Sequence, residues 1–203
     1  MLKKYLFEKL VIVGDLSEGS PIGSLQVKLV KKLKKLHQEE RLVVLFGNHD
    51  PKGNGVCEKI GIEAIGEYRC QINGKNFCAK HGDEFNDLGD SLSGHVIDWL
   101  ICKFMVLIKL IELKGINLGR IFIQLCAQLN ALEVTRKAKE FAIQNECDTM
   151  ICGHVHVPCH RIFRVRKGKK RIDYFNCGCF MDDVCTYLLT DECGRTRLHS
   201  VTK

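Results

Sequence analysis

The chain lacks the features that would divide it into several units. Its 203 residues contain no internal repeat and no low-complexity linker. Only three of them are proline. A chain of about 200 residues is long enough for one α/β core with a small accessory part. We therefore expect a single domain over residues 1–203.

The chain also lacks an uninterrupted apolar run that could cross a membrane. Residues 96–113 come nearest, but Asp98, Lys103, Lys109 and Glu112 interrupt them. A charge near the centre of a membrane span costs about 2.5–3.5 kcal/mol on insertion scales. This cost excludes a transmembrane helix over these residues.

We expect no secretory signal before the twelve cysteines, because the short apolar stretch after Lys4 ends at the charge of Glu8. The cysteines do not follow the spacing of a disulfide-rich secreted domain. Cys177 and Cys179 are too close together for the usual Cys-x-x-Cys zinc knuckle. We expect a reduced cytoplasmic protein in which most cysteines are small buried apolar side chains.

The net charge of +7 is concentrated in two segments. Five lysines share residues 25–36 with leucines at helical spacing, which predicts a solvated helix lying on a sheet. Residues 161–171 form an apparent basic hairpin around Gly168, which we expect to lie beside Gly153-His154-Val155-His156. That hairpin could attract a nucleotide diphosphate, nucleic acid or anionic lipid headgroups, and an ordinary charged turn is the alternative. No base-reading motif or aromatic stacking platform is present, so we expect no specific nucleic-acid partner.

Four polar clusters each follow a short apolar run that has the character of a buried strand. The runs are residues 10–13, 42–46, 77–80 and 149–152, and the clusters are Gly14-Asp15, Gly47-Asn48-His49-Asp50, His81-Gly82-Asp83 and Gly153-His154-Val155-His156. Open α/β sheets place their sites at the carboxyl ends of strands. Imidazole nitrogens with carboxylate and amide oxygens suit zinc, manganese or iron. The clusters therefore predict a metal centre.

Each cluster also has an ordinary structural interpretation. Gly-Asp after a strand is typical of a turn, and a single histidine such as His81 is commonly a surface or core residue. The clusters that begin at Gly47 and Gly153 are more specific, because a turn requires neither histidine nor a second acid. The four clusters in one order favour the metal centre over coincidence.

The clusters resemble those of the calcineurin-like metallophosphoesterases, and the resemblance covers nearly the whole chain from about Tyr5. Within that family, residues 81–86, 151–158 and 174–179 are similar to the bacterial UDP-2,3-diacylglucosamine diphosphatase-like branch. Residues 179–182 depart from the Asp-Trp-Val-Glu of that branch. The resemblance implies an α/β fold, a four-layer αββα sandwich with a helical cap inserted at residues 94–146.

The resemblance also implies two divalent metal ions, Mn²⁺ first among them, with Zn²⁺ or Fe²⁺ as alternatives. Asp15 would bridge the two ions. One site would be completed by Asn48, His81 and His154, while His156 would belong to the other site.

The family's mechanism is attack on phosphorus in line with the leaving group, assisted by the metal ions. By this resemblance His49 would stabilise or protonate the leaving oxygen, and Asp50 would orient the His49 ring. Asp83 would form a hydrogen bond with a ligand histidine on the side of the ring that faces away from the ion.

One part of the family pattern is missing from the sequence. The pattern normally opens with an Asp-x-His pair upstream of Gly14-Asp15, and residues 1–14 contain no Asp and no His. Only Asp15 and His156 remain for the second ion, whereas a tightly held ion usually has three or four ligands. We therefore expect the first strand to be missing and the activity to be weak or absent. A late-starting chain, a one-metal enzyme and a non-catalytic relative are the alternatives.

The substrate expected from the resemblance is a nucleotide-linked lipid of the lipid A precursor type, cleaved at its pyrophosphate. A generic nucleotide phosphodiesterase is the alternative. Helices are expected at about residues 118–129 and 132–145. The apolar surplus of the cap favours an acyl-chain pocket or contact with the inner face of the cytoplasmic membrane, and a self-packing helical bundle is the alternative.

Overall fold

The computed structural model describes residues 7–16, 24–50, 57, 61–86, 118–165, 168–179 and 184–202. The elements in chain order are β1 (Leu10–Val13), α1 (Ser24–Gln38), β2 (Leu42–Leu45), β3 (Glu67–Ile72), β4 (Lys75–Lys80), a 3-10 turn (Asp83–Phe85), α2 (Leu118–Gln144), β5 (Thr149–Cys152), β6 (Cys159–Val165), β7 (Lys170–Asn176), β8 (Val184–Thr190) and β9 (Thr196–Thr202).

The largest sheet has five strands in the order β3-β4-β5-β7-β6. Its three central strands, β4, β5 and β7, are parallel, and the outer strands β3 and β6 pair with them antiparallel. The residues that follow β4, β5 and β7 therefore leave the sheet at one edge. His81 and Gly153 are the first residues after β4 and β5.

Helix α2 covers one face of this sheet. Val134, Ala138 and Ala142 recur every four residues along the helix, and all three are fully buried. They pack against a cluster that includes Met150 of β5 and Tyr174 of β7. The small alanine side chains leave room for the helix to approach the sheet closely.

The expectation of two helices between residues 118 and 145 is wrong, because α2 is continuous over Leu118–Gln144. Asn130 and Ala131, at the expected break, are neither glycine nor proline and do not interrupt a helix. The cap insertion at residues 94–146 stays a prediction, and residues 87–117 lie outside the described residues. The second half of α2 belongs to the main core.

Strands β1 and β2 form a separate parallel pair, with Leu10 opposite Leu42 and Val13 opposite Leu45. Helix α1 packs against this pair through the buried side chains of Leu33 and Leu36. Its lysines are largely exposed, as the sequence predicts. Helix α1 thus covers the β1–β2 pair and α2 covers the five-stranded sheet, in agreement with the predicted α/β fold.

Two tight turns connect antiparallel strand pairs. Asn73 and Gly74 connect β3 and β4 with positive φ at both residues, the backbone that a two-residue hairpin turn requires. Strands β8 and β9 form an antiparallel pair around Asp191 and Gly194. The backbone nitrogen of Arg195 donates to the Asp191 carboxylate and fixes this second turn.

The cysteines differ from the expectation of reduced, buried side chains. A disulfide joins Cys78 of β4 to Cys147, just before β5. Among the free cysteines that the structure describes, Cys152 and Cys185 are buried and Cys193 is exposed, while five others are part-buried. The prediction that most cysteines are buried apolar side chains is therefore wrong for the described residues.

The described helices include none that is long and apolar enough to span a membrane. The interrupted apolar run at residues 96–113 lies outside the described residues.

Candidate metal centre

Four of the predicted ligands meet at the edge where β1, β2, β4 and β5 end. Asn48 Oδ1 lies 3.1 Å from His81 Nε2 and 3.1 Å from His154 Nδ1. Asp15 Oδ2 lies 3.2 Å from His81 Nε2. The four side chains thus present two imidazole nitrogens and two oxygens to one region.

His81 is oriented by the backbone of β1. Its side chain is 2% exposed, and its Nδ1 lies 2.8 Å from the carbonyl oxygen of Val13. A carbonyl oxygen can only accept, so Nδ1 carries the ring proton of neutral His81 and Nε2 presents its lone pair. Nε2 then faces acceptor oxygens of Asp15 and Asn48. Three acceptor atoms in this arrangement fit a cation held between them.

His154 is the second imidazole of the cluster. Its ring stands edge-on to that of His81, with the ring centroids 5.3 Å apart. Burial, followed by the neighbouring His81 ring, lowers the pKa of His154 to about 4. His154 is therefore neutral near pH 7, which is the form that binds a metal.

Asp15 is fixed from two sides by the loop after β2. Its Oδ1 accepts the backbone N–H of His49 at 2.9 Å. Asp50 Oδ2 accepts two backbone N–H groups, from Asp15 at 2.9 Å and from Gly47 at 3.0 Å. Asp50 therefore ties together the two loops that carry Asp15 and Asn48. Its predicted role in orienting the His49 ring stays a prediction.

The glycines of the first two clusters are required for space. A Cβ at Gly47 would lie 2.2 Å from Asp15 Oδ1. A Cβ at Gly14 would lie 2.2 Å from His81 Nδ1, and Gly14 also has φ +83°, which L side chains rarely adopt. Any larger residue at either position would displace a ligand.

His49 and His156 lie beside the four ligands, and both are exposed. Each is close enough to His154 to lower its pKa through charge repulsion. Among the described residues the structure shows no contact between His156 and Asp15. The second metal site expected from the family is thus not assembled within the described part of the chain, and we derive no chemistry from it.

Asn48 is essential to the geometry of the first site. No three His, Cys, Asp or Glu side chains of the described ranges form a cation site by themselves. The amide oxygen of Asn48 is the atom that connects His81 with His154. Carboxylate and amide oxygens with two imidazoles form a donor set that fits a divalent ion at Asp15, Asn48, His81 and His154.

Two asparagines near the ligands were not assigned from the sequence. Asn176, fully buried at the end of β7, donates to the carbonyl oxygen of Gly153 and accepts the backbone N–H of Gly178 at 3.0 Å. It thereby holds the loop that carries His154. Asn86 Nδ2 lies 3.4 Å from His154 Nε2. Both asparagines lie in segments that carry the family resemblance, and that resemblance is the feature of the sequence that could have identified them.

Asp83 was predicted to support a ligand histidine. In the described part of the chain, the backbone carbonyl oxygen of Asp83 accepts the N–H of Asn86 at 2.9 Å. The role of the Asp83 side chain stays a prediction. The side chain that reaches His154 from this turn is that of Asn86.

The Gly168 end of the basic hairpin does not lie beside the candidate metal ligands. Strand β7 ends at the site edge with Asn176, and Gly168 precedes the opposite end of the same strand. The first and last of the seven residues of β7 are six steps apart, which is about 20 Å in a strand. Gly168 is therefore remote from His154 although it is near it in sequence.

Solved structures resemble the chain at low identity. A predicted phosphoesterase from Streptococcus pneumoniae TIGR4 is 12% identical with a TM-score of 0.42, covering 96% of this chain and 82% of its own. Zinc-bound wild-type Vps29 from Entamoeba histolytica is 13% identical with a TM-score of 0.39, covering 95% and 97% respectively. Neither likeness is close enough to bear on function.

Sequence comparison is more informative. A UDP-2,3-diacylglucosamine hydrolase from Blochmanniella pennsylvanica (strain BPEN) is 28% identical in an alignment over 189 residues that covers 83% of this chain and 74% of the relative. The family described as calcineurin-like phosphoesterase matches residues 2–158. That match covers well over half of the chain and includes all four ligand clusters. The chain belongs to the calcineurin-like phosphoesterase family.

Proposed function

We propose that the chain is a hydrolase of phosphoester or pyrophosphate bonds that works with one divalent ion held by Asp15, Asn48, His81 and His154. The observation that carries this proposal is the orientation of His81. Val13 accepts the proton of Nδ1, so the lone pair of Nε2 is directed at the oxygens of Asp15 and Asn48.

A divalent ion at these side chains supplies Lewis acidity, which lowers the pKa of water and offsets the negative charge of the phosphate oxygens. The residues of the chain supply position. Asp50 fixes the loops of Asp15 and Gly47 through two backbone N–H groups. Asn176 fixes the loop of His154. Ligands that are held in place before the reaction need little reorganisation during it.

His49 is the proposed general acid. Its backbone N–H donates to Asp15 Oδ1, which anchors it next to the ion site. Its side chain is exposed, so a substrate can reach it. An imidazole in this position can give a proton to the departing oxygen as the bond to phosphorus breaks.

The proposed substrate is a nucleotide diphosphate linked to an acylated glucosamine, as in a precursor of lipid A. The proposal is supported by the name of the Blochmanniella relative and by the similarity of residues 81–86 and 151–158 to that branch. Mn²⁺ is the proposed physiological ion. We further propose a cytoplasmic protein whose cap at residues 94–146 contacts the inner face of the membrane.

A second candidate is a relative that keeps the ion site without efficient catalysis. It is favoured by the exposed His156, which has no contact with Asp15 among the described residues. Both candidates share the first ion site, and the rate of hydrolysis separates them.

The test is hydrolysis of UDP-2,3-diacylglucosamine and of bis(p-nitrophenyl) phosphate by the purified full chain with Mn²⁺. We expect cleavage that His81→Ala abolishes and that His37→Ala, on the exposed surface of α1, leaves unchanged. Cleavage of the second compound alone would identify a generic phosphodiesterase. No cleavage of either compound by a chain that binds the ion would favour the non-catalytic relative.

A further inference from the structure

The side chain of Asn86 has an unsatisfied atom next to the metal centre. Its Nδ2 lies 3.4 Å from His154 Nε2. Its Oδ1 is buried and has no hydrogen-bond partner in the structure. Buried polar atoms are almost always paired, so an orphaned oxygen beside a ligand histidine requires an explanation.

The two ring nitrogens of His154 face different partners. Nδ1 lies 3.1 Å from Asn48 Oδ1, and Nε2 faces Asn86. A neutral imidazole carries one N–H. Without an ion, Nδ1–H donates to Asn48 and Nε2 accepts from the Asn86 amide. Both ring nitrogens of His154 then have a hydrogen-bond partner, and Asn86 Oδ1 has none.

A bound ion reverses this requirement. To be a ligand from the side of Asn48, Nδ1 must give up its proton and offer its lone pair. The ring proton then belongs on Nε2, where it needs an acceptor. Rotation of the Asn86 amide by about 180° exchanges its nitrogen and oxygen in nearly the same space. The orphaned Oδ1 thereby becomes the acceptor for Nε2–H.

We propose that Asn86 is a positioning residue for His154, and that its amide turns over when an ion binds. The inference rests on the ion site of the proposed function. In the ion-free protein Asn86 holds the Nδ1–H form of His154, and in the ion-bound protein it holds the Nε2–H form. Partners of this kind, behind a ligand histidine, set which nitrogen is available.

The backbone holds Asn86 in place for this role. The backbone N–H of Asn86 donates to the carbonyl oxygen of Asp83 at 2.9 Å and closes the 3-10 turn. Phe85, the preceding residue, is buried and contacts Phe141 of α2, with ring centroids 5.7 Å apart. The amide group is the part of Asn86 that can turn.

Asparagine is suited to this exchange because its amide both donates and accepts. A carboxylate at the same position could only accept from Nε2–H, so Asn86→Asp should hold the ion-binding form of His154 in the absence of an ion. A leucine has nearly the same shape but neither donates nor accepts. In Asn86→Leu, residue 86 should therefore favour neither ring nitrogen of His154 as the site of the proton.

The experiment follows the imidazoles of the full-length, ¹⁵N-labelled chain by long-range ¹H–¹⁵N correlation, with and without Zn²⁺ as a diamagnetic probe. We expect His154 to change from the Nδ1–H to the Nε2–H pattern when Zn²⁺ binds. His81 should keep its Nδ1–H pattern in both states, because Val13 accepts that proton. It is an internal control in every variant.

Zn²⁺ affinity, measured by competition with a chelator, gives the second readout. We expect Asn86→Leu to lose 10- to 100-fold in affinity. Asn86→Asp should bind at least as tightly as the unmodified chain and show Nε2–H before Zn²⁺ is added. Asn76→Leu, an exposed asparagine at the far end of β4 from His81, should change neither readout.

Two results would overturn the inference while leaving the ion site intact. One is an Asn86→Leu chain that binds Zn²⁺ as tightly as the unmodified chain. The other is a His154 pattern that Zn²⁺ does not change. If the unmodified chain binds no Zn²⁺, the proposed ion site itself fails, and the role of Asn86 fails with it.

Discussion

The Nδ1 atom of His81 lies 2.8 Å from the carbonyl oxygen of Val13. Val13 is the last residue of β1, and His81 is the first residue after β4. The hydrogen bond thus joins the β1–β2 pair to the five-stranded sheet at the edge where the ligands meet. It also leaves the lone pair of His81 Nε2 facing Asp15 and Asn48. This one hydrogen bond therefore connects the two sheets and also orients the His81 ring toward Asp15 and Asn48.

The first prediction concerns the space beside Asp15. Gly47→Ala places a methyl group 2.2 Å from Asp15 Oδ1, so either Asp15 or the loop must move. We expect a loss of about 1–3 kcal/mol in the free energy of unfolding and at least a tenfold loss in ion affinity. Urea denaturation and chelator competition measure the two effects. Gly66→Ala, where nothing lies within 4 Å of the added Cβ, is the matched control. Equal ion affinities in the two variants would refute the steric argument.

The second prediction concerns Asp50. Asp50→Ala removes the acceptor of two backbone N–H groups, those of Asp15 and Gly47. Hydrogen bonds to a charged group contribute about 1.5–3 kcal/mol each, so we expect at least that loss in the free energy of unfolding. Asp50→Asn keeps an acceptor oxygen and should be affected less. The order is measured by denaturant unfolding, and an Asn variant as unstable as the Ala variant would contradict it.

The third prediction concerns pH. The pKa of His154 is about 4 in the folded chain, below the ordinary value of 6.5. Between these two values the unfolded chain binds a proton that folded His154 does not. The stability that this residue contributes is therefore present above pH 6.5 and is lost as the pH falls toward 4.

This pH dependence is measured on the ion-free protein by urea unfolding at pH 7, 6 and 5. His154→Gln cannot take up the proton, so its unfolding midpoint should fall less over this range than that of the unmodified chain. Parallel pH curves would show that the His154 pKa is not lowered.

The fourth prediction concerns the disulfide between Cys78 and Cys147. The unreduced, unfolded chain should show at most ten free thiols, because two of its twelve cysteines are bonded to each other. The bond closes a loop of 69 residues. The chain-entropy model gives about 4 kcal/mol of stabilisation for such a loop.

Replacing both Cys78 and Cys147 by Ala should lower the free energy of unfolding by up to about 4 kcal/mol. The loss is measured by unfolding in denaturant without reductant. Cys193→Ala, at an exposed free cysteine, is the control and should have no effect. Twelve free thiols in protein purified without reductant would mean that the bond does not form.

The sequence was sufficient to predict that the side chains of the candidate site meet, because these residues follow strands directly. Asp15, His81 and His154 come within two residues of the ends of β1, β4 and β5. Strands of a parallel α/β sheet deliver such residues to one edge, whatever the details of packing.

The contacts of Asn86 and Asn176 could not be predicted in the same way. Asn86 and His154 are 68 positions apart in the chain. Their contact depends on how the 3-10 turn after His81 folds back toward the loop after β5. Such turns are set by local backbone geometry and by the packing of Phe85, which spacing in the sequence does not reveal.

The location of the basic hairpin was mistaken for a related reason. Residues 161–171 follow His156 closely in sequence, but β6 carries the chain away from the site edge. Each strand residue advances the chain by about 3.3 Å. A short separation in sequence therefore becomes a long separation in space when the intervening residues are extended.

The most direct test of the account is the ion content of the full chain after incubation with Mn²⁺ and removal of free metal, measured by elemental analysis. We predict about one ion per chain, its loss in His81→Ala and its retention in His37→Ala. His81→Ala should otherwise fold, as shown by circular dichroism. A folded His81→Ala chain that retained the full ion content would contradict the central claim that His81 is a ligand of the site.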